Sequence, residues 1–358
     1  MVKKLDIYVW RELLVPFLIG SVAVSLMFSI NQLMAIMKEI SVQNVPKEAI
    51  ILSLVYKLPF WMNMTLPVGM SLAASLAFTR FSRESELTAM RAAGTSIVRV
   101  IRPVMLFGLV VAIGNFLLVE KVMPKSEQKF NEIARKVGIL GIMPVYQSNV
   151  VIHLKDYTAS FASVSRSSKD VLQIRGVTLI RRPSETDTEI ISAGSGQYDD
   201  GIWRLNKAYF WMLHGLVLTG FHGPDDFVVD QRVIIDDMLN PRTQESQTAE
   251  ELLAAINNGK KTGLDTRTLE VSYHSRYSVP AACILFACVA PVFAILFART
   301  GGFAGVLLSI FLVMLYYNVY VVCTEIFGRL GWMPPIIAAW LPNIVFAIAG
   351  IFALRKLE

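Results

Sequence analysis

Six stretches of this sequence are too long and too apolar to be ordinary helices of a water-soluble core. They run from about Leu13 to Met37, Phe60 to Thr79, Pro103 to Val119, Val279 to Phe297, Phe303 to Ile326 and Ile336 to Leu354. A helix rises 1.5 Å per residue, so roughly 20 apolar residues cross a hydrocarbon core. The expected fold class is therefore an α-helical integral membrane protein with six transmembrane helices. Hydrophobic residues at 54% and charged residues at 17% of 358 exclude a soluble globular chain. A cleaved signal peptide is the rival reading of the first run. That run exceeds a typical signal core, and no convincing small-residue cleavage site follows it. The second run begins near Ala49, carries Lys57 and contains Pro59 and Pro67. It is longer than one crossing, which puts Lys57 near the outer interface and a kink at Pro67.

Between the third and fourth runs the periodicity changes from helical to alternating. VVIHLKDYTA, FASVSRSS, VLQIRGVTLIRR, TEIISAGSGQYD, GIWRLNKAYFWML, GLVLTGFHG and FVVDQRVII each read as a strand, with Gly196, Gly201, Gly215 and Pro224 at turns. Such a set predicts an inserted all-β domain, a sandwich or jelly roll, with Ile202, Leu205 and Phe210 inward. TAEELLAAINN, Thr248 to Asn258, reads as a short helix before a linker. Residues 1–120 then hold the first three helices, 121–273 the β domain with flanking helices, and 274–358 the last three helices.

The net charge of +6 would suggest nucleic acid in a soluble protein, but here the basic residues lie beside apolar runs and set topology. Arg80, Arg83, Arg91, Arg99 and Arg102 crowd the segment between the second and third runs. The positive-inside rule puts that segment in the cytoplasm, both termini with it, and the β domain outside, which is the periplasm of a Gram-negative cell. Arg299, Gly301 and Gly302 supply a tight cytoplasmic turn before the fifth run.

The arginine-rich segment contains FSRESELTAMRAAG, and residues 82–94 read as a short helix. Ser82 caps its start, Glu84 and Glu86 occupy the first turn, Gly94 ends it, and Leu87, Met90 and Ala93 share a face. Its carboxylates and arginines either dock a soluble partner or simply cap a solvated helix.

Bond chemistry finds little support. Gly259-Lys260-Lys261-Thr262 lacks the first glycine of a phosphate loop, since position 254 is Ala. The histidines, His153, His214, His222 and His274, have no metal-type spacing, and Cys283, Cys288 and Cys323 lie in apolar runs. Glu325 and Arg329, the candidates for an ion-driven carrier, fall near one end of the fifth run. A membrane body with a cytoplasmic handle and an external β module suggests a permease that borrows ATP hydrolysis, with Glu86 as the foremost contact.

FSRESELTAMRAAG, with its Ser-Glu-Leu core and closing Ala-Gly, and GWMPPIIAAWLPNIVFAIAG, with Pro334, Pro335 and the Trp-Leu-Pro-Asn of 340–343, resemble the lipopolysaccharide-export ABC-transporter permease family of the LptF/LptG type. The resemblance covers essentially the whole chain. It implies a permease of the bacterial inner membrane that pairs with a second permease, as a heterodimer or a homodimer, around a lipid cavity. It implies a cytoplasmic ABC ATPase dimer that alone uses ATP and Mg, so that this chain has no cofactor and is no enzyme. It implies hand-off of lipopolysaccharide from a β-jellyroll to a periplasmic bridge protein of similar fold, single-span in some cases.

Residue by residue, the resemblance puts the ATPase contact on Glu86, with Glu84, Arg83, Leu87, Met90 and Arg91 around it. A phosphorylated, acylated lipid needs a cavity that is apolar in its depth and basic at its rim. Lys38, Lys57 and Arg276 are placed for that rim, or else snorkel to headgroups. Phe17, Met27, Phe28, Phe311 and Tyr317 are the expected acyl-chain contacts, because the first and fifth helices line the family's cavity. Ser272 stands where the family often has an acid. The alternatives are a permease of the same fold for another amphipathic lipid, and a membrane-anchored periplasmic adaptor.

Overall fold

The computed structural model describes residues 4–39, 47–139, 147–153, 158–166, 171–181, 187–199, 202–215, 217–230, 243–261, 265–297 and 304–357. Two compact units result, one of Met1–Ala35, Leu52–Phe130 and Gln244–Glu358, the other of Ile36–Ile51 and Asn131–Thr243.

The first unit is helical. It is built mainly on α1 (Lys4–Glu39), α2 (Lys47–Arg83), α3 (Glu86–Ala92) and α4 (Ile97–Leu117), the facing ends of α1 and α2 falling in the second unit. A π-helical turn, Leu118–Val122, carries α4 directly into α5 (Met123–Ile139). Then come α6 (Ala249–Lys261), α7 (Arg267–Phe297), α8 (Ala304–Val321) with a π-helical end Val322–Gly328, and α9 (Pro335–Arg355). Among the described residues, six helices are long and apolar enough to cross a membrane: α1, α2, α4, α7, α8 and α9. Their outer surfaces carry Leu14, Leu18, Val22, Leu106, Val110, Ile310 and Ile344 exposed, which water would not tolerate on this scale. Phe78, Phe81, Met70, Phe286 and Tyr316 fill the interior.

The expected turn of Arg299, Gly301 and Gly302 lies outside the described residues. Pro335 takes the first position of α9, where its missing N–H costs nothing, and Pro334 precedes it as the cap. Helix α2 runs unbroken through Pro59 and Pro67 for 37 residues, about 55 Å at 1.5 Å per residue. Pro67 has no N–H for the carbonyl of Asn63, four residues back. Asn115 of α4 donates from Nδ2 to that carbonyl at 3.2 Å, and one residue on the Met64 carbonyl accepts from the Tyr317 hydroxyl at 2.5 Å. The proline therefore turns a helix-internal bond into an inter-helix one. Helix α7 is the most buried of the six. A Cβ added at Gly108 would lie 2.4 Å from Ala287 Cβ, and one at Gly350 would lie 2.6 Å from Val289 Cγ2. Glycine thus lets α4 and α9 close on α7, the small-residue packing of membrane helices.

The second unit holds one antiparallel sheet of six described strands in the order β1 to β6, each paired with the next. They are β1 (Gln147–His153), β2 (Thr158–Arg166), β3 (Val171–Arg181), β4 (Asp187–Asp199), β5 (Ile202–His214) and β6 (Val217–Asp230). VVIHLKDYTA is not one strand: its two ends pair with each other as β1 and β2. GLVLTGFHG and the start of FVVDQRVII merge into β6, and the rest of the latter lies outside the described residues. Pro224 sits inside β6, not at a turn, at the irregular step of the β5–β6 register between Ala208 and Phe210, where a proline interrupts no regular ladder.

Leu205 is buried and Phe210 half-buried against the core, but at the start of β5 the buried residue is Trp203, with Ile202 half-buried on the other face. Trp203 and Leu205 are odd, Ala208 and Phe210 even, so the parity switches between them. The switch is a bulge at Lys207, whose φ is 52° and whose N–H donates to Asp226 Oδ1 at 3.2 Å.

Asn115→Leu removes the donor that satisfies Asn63 and should lower stability by about 1 kcal/mol, the scale of inter-helix hydrogen bonds in membranes. Pro67→Ala restores the N–H inside α2 and should reduce that loss when combined with it, a coupling measurable by thermal unfolding of the four variants in detergent.

Candidate functional site

The segment expected as one helix over 82–94 is two pieces. Ser82 lies inside α2, which ends at Arg83, and the chain restarts as α3 at Glu86 after Ser85 adopts φ 56°. Ser85 makes no side-chain cap, and Gly94, at φ 81°, follows the end. The left-handed Ser85 is what breaks the helix, because a right-handed residue there would have let α2 continue.

Leu87 is buried in the helical core and Met90 packs partly buried against it, whereas Ala93 is exposed beyond the end of α3. Leu87 is thus an anchor of α3 and not a surface contact, with Met90 beside it. Arg83, Glu84 and Arg91 are exposed. A cavity of about 270 Å³ opens beside the break, lined by Leu76, Thr79, Arg80, Arg83 and Glu84.

Glu86 does not project freely. The Tyr8 hydroxyl of α1 lies 3.0 and 2.8 Å from its two carboxylate oxygens and donates to them. Arg80 is the hub: Nη2 donates to the Tyr8 oxygen at 3.0 Å and to Glu86 at 3.3 Å, Nε to Glu84 at 3.2 Å, and Nη1 to Glu12. Two further ties join the same end of α1 to α4: Arg99 grips Asp6 bidentately at 2.7 and 3.1 Å, and Trp10 Nε1 donates to the Pro103 carbonyl at 2.7 Å. Asp6, Tyr8 and Glu12 were missed from the sequence. Their signal was available: two acids precede or enter the first apolar run on the same predicted side as five arginines.

At the opposite end of α2, Lys57 is held at 2.5 Å by Glu127 of α5 and lies 4.7 and 4.8 Å from the rings of Phe60 and Phe130. Arg276 does not sit at a rim. It is 5% exposed, and its guanidinium donates to the carbonyls of Val119 at 3.2 Å, Gln244 at 3.0 Å and Gln247, with Glu120 at 3.6 Å. Glu120 in turn accepts from Ala249 N–H at 3.1 Å, and Ser272 donates to Gln244. Thr248 and Glu251 close a capping box at the start of α6. Arg276 therefore clamps the return segment at 244–249 onto the ends of α4 and α7. Burial explains the difference: a buried guanidinium must find several acceptors, and backbone carbonyls supply them. The side chain of Lys38 lies outside the described residues.

Of the expected acyl-chain contacts, Met27 and Phe311 lie on exposed apolar faces of α1 and α8. Phe28 is half-buried and stacks on Trp61 with ring centroids 5.0 Å apart. Phe17 is buried against Phe107 and so belongs to the core, and the Tyr317 hydroxyl is engaged by Met64. Glu325 and Arg329 pair with each other at 2.8 Å on an exposed surface.

A family model described as lipopolysaccharide export system permease LptF/LptG matches residues 7–356. The chain belongs to this family. It is accordingly a transport permease component of the lipopolysaccharide export system, from a family of inner-membrane permeases, and not a catalytic subunit. No curated protein gives a significant match to the chain.

If Arg276 is a clamp, charge alone does not suffice. Arg276→Lys keeps the charge but loses the fork that reaches three carbonyls. It should lower the stability of the full chain by about 3 kcal/mol, the scale for a broken buried charge network, seen as a lower thermal midpoint and as new proteolytic cleavage near 243–248.

Proposed function

We propose that this chain is the permease subunit of an ATP-driven exporter that extracts lipopolysaccharide from the inner membrane and passes it to a periplasmic β-jellyroll bridge protein. ATP and Mg are used by a separate cytoplasmic ATPase dimer, and a second permease of the same family completes the cavity. The observation that carries the coupling role is the break at Ser85, which sets off α3 with Leu87 inward and Arg83, Glu84 and Arg91 outward.

A short helix anchored by one buried leucine and rimmed by charge suits insertion into a groove of a soluble partner. The arginines at 80, 83, 91, 99 and 102 argue for a cytoplasmic location of this end, which makes both termini cytoplasmic and the sheet unit periplasmic. The sheet is read as the major face of the jelly roll, its inner surface carrying Leu172, Ile174, Leu179, Trp203 and Leu205. Lys57 and Lys38 remain the proposed basic rim, and Met27, Phe28 and Phe311 the proposed acyl-chain contacts.

Arg83→Glu combined with Arg91→Glu reverses the exposed charges without touching Leu87. The yield of ATPase recovered with the permease from membranes should fall by about ten-fold, ~1.4 kcal/mol of docking energy. Full recovery of a stoichiometric ATPase would reject this docking surface, and absence of any ATPase with the unmodified chain would favour a membrane-anchored adaptor.

A further inference from the structure

Helix α3 follows α2 after a sharp break that the Arg80–Glu86 pair spans, and among the described residues the Tyr8 hydroxyl is its direct hydrogen bond to α1. Tyr8 donates to Glu86, the first residue of α3, and accepts from Arg80, so three groups from three helices close a ring. The hydroxyl suits this place because it both donates and accepts, which neither a phenyl ring nor a lysine does. Its own ring is fixed by a tilted contact with Phe81, centroids 5.6 Å apart.

We infer that Tyr8 is a positioning residue through which α1 follows the movement of α3, with Glu86 as the grip on the α3 side. This rests on the reading of α3 as the ATPase-coupling element. Without the tie, α3 would hold to α1 only indirectly, through Arg80 and Glu12, and could pivot at Ser85, whose φ of 56° separates it from α2. Leu87 also holds α3 to the core, but an apolar contact can slide, whereas a hydrogen bond to a carboxylate is directional and short. Helix α1 is tied to α4 through Asp6 and Trp10 at this end, so a pull on Tyr8 acts on a helix already anchored in the bundle. Its inner stripe of Val9, Leu13 and Phe17 packs on the bundle, while Leu14, Leu18, Val22, Leu26 and Ile30 face outward, uncovered among the described residues. The pull of the ATPase therefore reaches α1 as well as α2.

The test uses the full chain assembled with its ATPase and second permease in nanodiscs containing lipopolysaccharide. The readout is lipopolysaccharide extracted per ATP hydrolysed, a ratio that mere loss of folded complex does not change. Tyr8→Phe should lower that ratio about ten-fold, the scale of one hydrogen bond to a charged group. Tyr8→Cys with Glu86→Cys should be equally poor when unbridged, and should regain at least half the starting ratio, roughly what one restored tie provides, when bridged by a short bis-maleimide. An unchanged ratio in Tyr8→Phe, or a bridged pair no better than the unbridged one, overturns the inference. If Tyr8→Phe does not assemble, the bridged pair decides. Loss of ATPase on charge reversal at Arg83 and Arg91 together with a normal Tyr8→Phe ratio removes the role of Tyr8 alone. Retained ATPase in that reversal removes the coupling reading itself.

Discussion

Hydrocarbon supplies no partners for polar groups, so a helix that must break its own ladder has to find a replacement inside the protein. Pro67 creates this demand in the middle of α2 and Asn115 meets it from α4, with Tyr317 reaching the next carbonyl from α8. The same rule operates between the last helices, where Asn343 accepts from Tyr316 at 2.9 Å and donates to the Ser278 carbonyl at 2.8 Å. These few bonds give the bundle its register. Apolar contact gives it cohesion, and glycines at 108 and 350 set how near α4 and α9 come to α7.

The two ends of the bundle use charge differently. At one, Arg80 and Arg99 gather carboxylates of α1, of α3 and of the turn before α3, while Arg83 and Arg91 stay exposed. At the other, Arg276 is buried and directs its donors at carbonyls, fastening the chain where it returns to the helices. An arginine in the first setting is a hub, whereas in the second it is a bolt. Arginine serves both roles because its planar fork holds several acceptors at once.

Much of this was legible beforehand. Runs of apolar residues announced the helices, and alternation announced the strands, because both periods depend on local geometry alone. The short helix after Phe81 was also visible, but its start was misplaced by three residues or more, since Ser82 has the chemistry of a cap and the left-handed turn at Ser85 leaves no mark in composition. Alternation counted back from Phe210 puts Ile202 in the sheet interior where Trp203 lies, because the bulge at Lys207 shifts parity and bulges are set by strand pairing. Arg276 looked like a rim residue for the same kind of reason: its acceptors lie 29 to 157 positions away in the chain.

The sequence by itself determined that this chain has six helices long and apolar enough to cross a membrane, an inserted β unit, and membership of one permease family. Those properties follow from composition, period and local motif. Only the tertiary structure decided that Glu86 is held by Tyr8 and Arg80, that Leu87 faces inward, that Lys57 is paired with Glu127, and that Arg276 is a clamp. Each is a contact between residues far apart in the chain, and no local pattern encodes which of several compatible partners a charge will meet once the helices pack.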